Sequence, residues 1–205
     1  MPARGGLAQE LSALEMHQGQ ESTAVLALSG PILFLVGSLS EVCKRQCAVL
    51  IGEDQIQEFL VPATVLRDGP SHPQWAANAT RLRDLLDDGN DVLVQIGQDD
   101  HFNPAEGPAL ATMLGRLIQP LFSKVGAAVL IGGESARAML SEVDVLQLQI
   151  LAELEPGVPL SMPSERALSS RPLIVTKAGA FGDDRTLQRV RATLRGGSIH
   201  LTSYR

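Results

Sequence analysis

Aromatic side chains are scarce in this chain: one Trp, one Tyr and five Phe make up 3% of 205 residues. That is too few for the stacking platform on which a single-strand nucleic-acid binder depends. Positive charge is scarce as well. Seventeen Lys and Arg stand against 23 Asp and Glu, a formal net charge of −6, whereas a nucleic-acid partner would reward a basic patch through counterion release. Arg189, Arg191 and Arg195 form a modest basic cluster whose spacing suits a solvated helix face. No apolar run approaches the ~20 residues that a membrane helix requires. The opening MPARGGLAQELSALEMHQGQ has neither a sustained apolar segment nor a small-residue cleavage site. The expectations are therefore no nucleic acid, no membrane and a cytoplasmic location.

Cysteine is almost absent too. Cys43 and Cys47 lie four apart in SEVCKRQCAVLIG, so one helical turn puts them on one face. No further Cys and no nearby His completes a tetrahedral metal set. They read as core-facing thiols of a reducing compartment, and no metal ligand is assigned. The chain also lacks G-x-x-x-x-G-K-[ST], which excludes the phosphate-loop NTPases, and lacks a G-x-G-x-x-G that opens a helix after a strand.

What is present is a glycine-rich turn that recurs three times, each after an apolar run that reads as a buried strand. The runs are PILFLV, AAVLI and PLIVT, and the turns are Gly37 to Ser40, Gly132 to Ser135 and Ala178 to Gly182. Bare backbone N–H groups at a strand-to-helix turn, backed by the positive end of a helix, form an anion site. In an open α/β sheet all such turns gather at the carboxyl ends of the strands, where ligands bind.

Patterning predicts strands at Ile32–Val36, Glu58–Leu66, Asp91–Ile96, Ala127–Ile131, Leu146–Leu154 and Leu173–Thr176. Pro62 inside the second suggests an edge strand or a bulge. Helices are expected at Glu41–Leu50 with Ser40 as N-cap, Gln74–Leu86, Ala105–Lys124, Ser135–Leu140 and Asp184–Leu194. Pro163 to Arg171 reads as a connector, and the tail SIHLTSYR suits an edge strand. The alternation implies a three-layer α/β domain over 31–205: a largely parallel or mixed sheet with helices on both faces. Residues 1–30 read as a linker or partly ordered segment.

Four segments in order, GSLSEVCKRQ, IGGESARAML, AELEPGVPL and TKAGAFGDD, closely resemble the C-terminal nucleotide-binding domain of the four-carbon acid sugar kinases. That family carries G-S-x-S-x-x-T-x-x-Q, T-G-G-D-T-A, E-x-x-P-G-V-P and K-A-G-G-F-G. The resemblance spans Pro31 to Leu194. It implies ATP, with Mg²⁺ accompanying the nucleotide, and phosphoryl transfer to a hydroxyl of a threonate- or erythronate-like sugar acid. The acid would be held by a separate domain or subunit, whose Asp-rich opening motif this chain lacks. Carried over residue by residue, the resemblance implies that Ser38 and Ser40 contact phosphate. It implies that Gly132 and Gly133 let the backbone approach, with Glu134 and Ser135 opening the next helix. Gly179 and Gly182 form a third wall, and Lys177 supplies positive charge near the γ-phosphoryl. Glu153 and Glu155 could organise Mg²⁺ or be plain surface carboxylates. His101 and Phe102 lie in a loop that should face the same edge, and no catalytic base is assigned.

The chain departs from the family pattern at Cys43 for Thr, Ile131 for Thr, Glu134 for Asp and Ala180 for Gly. The first two remove hydroxyls, and Ala180 puts a methyl at a turn where a positive φ would cost on the order of 1 kcal/mol. These departures keep alternatives open: a non-catalytic kinase-like module that has lost its nucleotide, or an unrelated α/β enzyme for a phosphorylated metabolite. Exposed apolar surface at the missing partner's position could also drive homo-oligomerisation.

Overall fold

A computed structural model describes residues 22–24, 28–52, 56–101, 103–164, 172–196 and 199–201. In chain order the elements are β1 (Ser22–Ala24), β2 (Ile32–Val36), α1 (Glu41–Ile51), β3 (Ile56–Pro62), α2 (Ala63–Asp68), α3 (Trp75–Asp87) and β4 (Asp91–Gly97). There follow α4 (Gly107–Ile118), β5 (Ala127–Ile131), α5 (Gly133–Glu142), β6 (Leu148–Glu155), β7 (Val158–Pro163), β8 (Leu173–Lys177), α6 (Thr186–Gly196) and β9 (Ile199–Leu201). Seven strands form one sheet in the order β3-β4-β2-β5-β8-β7-β6. The first five run parallel, and β7 and β6 close the sheet antiparallel. The architecture is the expected α/β fold with a mixed sheet covered on both faces.

The alternation of β2 divides the core. Leu33 and Leu35 pack with α2 to α5 on one face, whereas Ile32, Phe34 and Val36 pack with α1 and α6 on the other. Every side chain of β2 is therefore buried, as a central parallel strand requires. The helix that leaves β2 lies on one face, and those that leave β4 and β5 lie on the opposite face. Such a reversal splays the connections apart and opens a crevice at the carboxyl end of β2.

Several local expectations need correction. The strand predicted to reach Leu66 stops at Pro62, and Ala63–Asp68 is helical; Pro62 has no N–H for the ladder, and β3 is an edge as anticipated. The helix expected over 105–124 is a 12-residue α-helix flanked by 3₁₀ turns at Pro104–Glu106 and Gln119–Lys124. Strand β7 was hidden because VPLSMP carries two prolines; it pairs back through a turn in which Gly157 has φ +74°. Most of the expected connector, 165–171, lies outside the described residues, as does most of segment 1–30. Ile199–Leu201 pairs antiparallel with Ser22–Ala24 in a separate two-stranded sheet.

The arginines of α6 are not a solvated face. Asp91, at the start of β4, is 1% exposed and accepts from Ile32 N–H at 2.7 Å, from Arg191 Nε at 2.7 Å and from Arg195. Arg195 also reaches the Gly30 carbonyl at 3.2 Å, and Arg189 pairs with Glu155. Among the described residues no helix is long and apolar enough to cross a membrane.

Candidate functional site

The three glycine turns converge because they follow adjacent parallel strands. The ladder continues one residue past the strands: Gly37 N–H donates to Ile131 O at 2.8 Å, and Gly132 N–H to Lys177 O at 2.9 Å. Side chains then lock the turns together. Ser135 Oγ donates to Gly37 O at 3.3 Å, and Ser40 Oγ, while capping α1 by accepting from Cys43 N–H, donates to Gly179 O at 3.0 Å. Ser38 Oγ accepts from Ser40 N–H at 3.3 Å.

Glycine is needed where backbones meet most closely. A β-carbon on Gly179 would collide with Ser38 Oγ, and one on Gly37 with Ser135. Gly132 takes φ +107° and Gly182 φ +82°, conformations that disfavour any L side chain. Ala180 does not have a positive φ, so its methyl imposes no backbone strain there.

Donors are left over. The N–H groups of Ser38, Leu39, Gly133, Glu134, Ser135, Gly179, Ala180 and Gly182 donate to no partner among the described residues. Those of Gly133 to Ser135 form the first turn of the ten-residue helix α5, where the macrodipole adds positive potential. Glu134 is exposed at this end and has no ion pair among the described residues. Beside the first turn lies a cleft of about 440 Å³. Its walls are Val36, Leu39, Leu60, Ile96 and Leu110, with Gln95 and Gln98 among its polar groups. Residue pattern alone does not reveal the walls of this cleft, because they depend on strand order.

Lys177 is neither a solvated strand-end lysine nor open to the cleft. It is 2% exposed, and its ammonium donates to Ala178 O at 2.8 Å and Gly179 O at 3.3 Å. Burial pushes its pKa down, and the adjacent thiols of Cys43 and Cys47 oppose that. The two thiols are buried and free, with sulfurs 4.0 Å apart. Hydrogen bonding with Cys47, followed by the Lys177 charge, lowers the Cys43 pKa, and Cys47 is raised in return.

The Mg²⁺ reading of Glu153 and Glu155 fares poorly. Glu153 accepts from Gly157 N–H at 2.6 Å, and Glu155 is taken by Arg189. Among the described residues no cluster of three His, Cys, Asp or Glu is placed to hold a metal ion. His101 is exposed, in a loop pinned by Arg67, which pairs with Asp99 and Glu106; Phe102 lies outside the described residues.

Sequence reasoning passed over Gln46, although it stood in the first quoted segment. It is fully buried in α1, and its Nε2 donates to Phe181 O at 2.9 Å and Asp183 O at 2.7 Å. A polar residue on the Cys43, Cys47, Leu50 stripe was the available signal.

Fold and site together define an open α/β domain with unpaired backbone donors gathered at its strand ends. The family model for the nucleotide-binding C-terminal domain matches residues 33–187. A D-threonate kinase of Cupriavidus necator is 42% identical over 185 residues, 89% of this chain and 44% of that protein. One of Bordetella bronchiseptica is 26% identical over 169 residues, 82% of this chain and 41% of that one. The chain thus spans less than half the length of the curated relatives it matches. A domain of unknown function from B. bronchiseptica, solved as a domain-swapped dimer with citrate, superposes with a TM-score of 0.66 at 23% identity, covering 85% of this chain and 42% of that one. A Haemophilus influenzae protein of the same domain class gives 0.62 at 14% identity, covering 92% and 45%. The chain belongs to the C-terminal nucleotide-binding domain of the four-carbon acid sugar kinase family.

Proposed function

We propose that this domain binds Mg·ATP at the three converging turns and presents the γ-phosphoryl to a hydroxyl of a sugar acid such as threonate. The acid would be held by a separate domain or subunit. The observation that carries the reading is the set of backbone N–H groups left unpaired on three adjacent turns that are hydrogen-bonded to one another, on glycine-rich backbone that a phosphate can approach closely. Residues 31–205 would form the nucleotide domain, in a cytoplasmic protein.

In this reading Ser38 and Ser40 place hydroxyls and N–H groups at the first turn. Gly132, Gly133 and Ser135 supply the helix end, and Gly179 and Gly182 shape the far wall. Glu134, the unengaged carboxylate of the rim, suits a water of the hydrated cation that accompanies the phosphates, since Mg²⁺ keeps several waters and takes oxygen ligands. When bound with the nucleotide, the cation would supply positive charge against the phosphates. Orientation and neutralisation are most of what phosphoryl transfer asks of a protein. Lys177 would act on the third turn rather than on phosphate, because its ammonium is spent on carbonyls.

That same burial favours the second reading, a kinase-like interaction module without a nucleotide. Titration calorimetry with Mg·ATP and Mg·ADP separates the two. Saturable heat is expected, and no heat or thermal shift at millimolar nucleotide would overturn the proposal in favour of the module. Exposed Leu39, Leu60 and Phe181 flank the turns and are where a sugar-acid-binding partner, or a second copy, would close.

A further inference from the structure

We propose that Gln46 is a positioning residue of the nucleotide site: from α1 its amide fixes the shape of the third glycine turn, to which it contributes no ligand contact of its own. The inference rests on the nucleotide reading above. Four carbonyls between Ala178 and Asp183 accept hydrogen bonds from side chains of Lys177, of Ser40 at the head of α1 and of Gln46 within it. Lys177 takes those of Ala178 and Gly179, Ser40 that of Gly179, and Gln46 those of Phe181 and Asp183. The N–H groups of Gly179, Ala180 and Gly182 remain without a partner among the described residues. Holding the carbonyls of a turn on one side leaves its donors for the other, which is the arrangement an anion requires.

Two features mark Gln46 as more than core filling. Its stripe is otherwise Cys43, Cys47 and Leu50, so an apolar residue would fit the pattern. Its Oε1 is also buried and unpartnered, an expense that a residue kept only for volume would avoid. Both Nε2 contacts are to carbonyls, so the amide orientation is forced. Gln46 thereby couples the turn at the head of α1 to the turn that follows β8: one end of the helix touches Gly179 through Ser40, and its second turn touches Phe181 and Asp183. Arg45 reinforces the link by pairing with Asp184 at 2.9 Å.

The test compares wild type with Gln46→Leu, which removes the donor, Gln46→Glu, which sets a carboxylate against two carbonyls, and Gln46→Lys, which keeps a donor. Backbone ¹⁵N relaxation of Gly179, Ala180 and Gly182 without nucleotide reads the turn itself. Calorimetry with Mg·ATP reads the consequence. Expected are lower order parameters and an affinity at least tenfold weaker for Gln46→Leu and Gln46→Glu, with Gln46→Lys within about threefold of wild type. Unchanged order parameters, or a lower melting temperature with unchanged affinity, overturn the inference. Should Gln46→Leu fail to fold, the contrast between the Glu and Lys variants decides. Failure of wild type to bind Mg·ATP would sink the nucleotide reading instead, and the relaxation data would still report on the clamp.

Discussion

The two ends of the parallel sheet are built on opposite principles. At the amino ends of the strands, Asp91 is buried, and its carboxylate is shared among Ile32 N–H, Arg191 and Arg195. At the carboxyl ends, eight backbone N–H groups stay unpaired among the described residues, while hydroxyls, glycines, one buried amide and the Lys177 ammonium set the geometry. A buried charge must be satisfied or it destabilises the fold. A rim of unused donors, by contrast, is tolerable only where water or a ligand can reach it. The lower end therefore secures the fold, and the upper end keeps its donors open to water or a ligand.

The largest effect that would break this contrast is expected at Asp91. Asp91→Ala strips the partner from two arginines and a buried N–H, and should cost about 3–5 kcal/mol in denaturant unfolding. It should leave Mg·ATP affinity unchanged in the folded fraction, and a matching loss of affinity would show that the two ends are not separable. Next comes Gly179→Ala, which drives a methyl into Ser38. It should lower stability by about 1–3 kcal/mol and weaken Mg·ATP binding roughly tenfold or more, a ratio read by calorimetry.

Lys177 sharpens the comparison because it is a buried charge at the end where the donors are left unpaired. Lys177→Met leaves no carbonyl orphaned, since Ala178 O still accepts from Phe181 N–H and Gly179 O from Ser40. Removing a buried ammonium that has carbonyl acceptors but no carboxylate partner among the described residues should raise stability by about 1 kcal/mol at neutral pH. Burial holds the folded pKa below the ordinary 10.5, so the unfolded chain retains the proton to higher pH. This group's contribution to wild-type stability therefore rises as pH climbs from the folded value through 10.5. The advantage of the Met variant should shrink over that window, as followed by urea melts across an alkaline series. The smallest effect is expected for Ala180→Gly: φ is not positive at Ala180, so nothing is relieved, and the gain in chain freedom should cost ~0.5–1 kcal/mol.

Much of the upper end could be read from residues alone. The runs PILFLV, AAVLI and PLIVT are β2, β5 and β8, and they are neighbours in the sheet. Four family segments identified the domain. The sequence was silent where the third dimension decides. A lysine at the end of a strand carries no mark of which face it turns to, and Lys177 follows Val175 into the core. Strand β7 escaped, although β6 was expected, because Pro159 and Pro163 break its strand patterning; both lie outside Leu160 and Ser161, the residues that pair with β8. The pairing of Arg191 and Arg195 with Asp91 spans 100 and 104 residues, beyond the reach of helical spacing. Gln46 was visible as an oddity on an apolar stripe, yet only the folded turn supplied its two acceptors.

The hold of Arg195 on Gly30, next to the pairing of Ser22–Ala24 with Ile199–Leu201, makes the domain a plug with both leads at one corner. Whatever polypeptide flanks those leads can swing or be exchanged without tugging on the turns at the other rim. Such a layout would let the domain be joined to different neighbours while the turns at the far rim keep their shape.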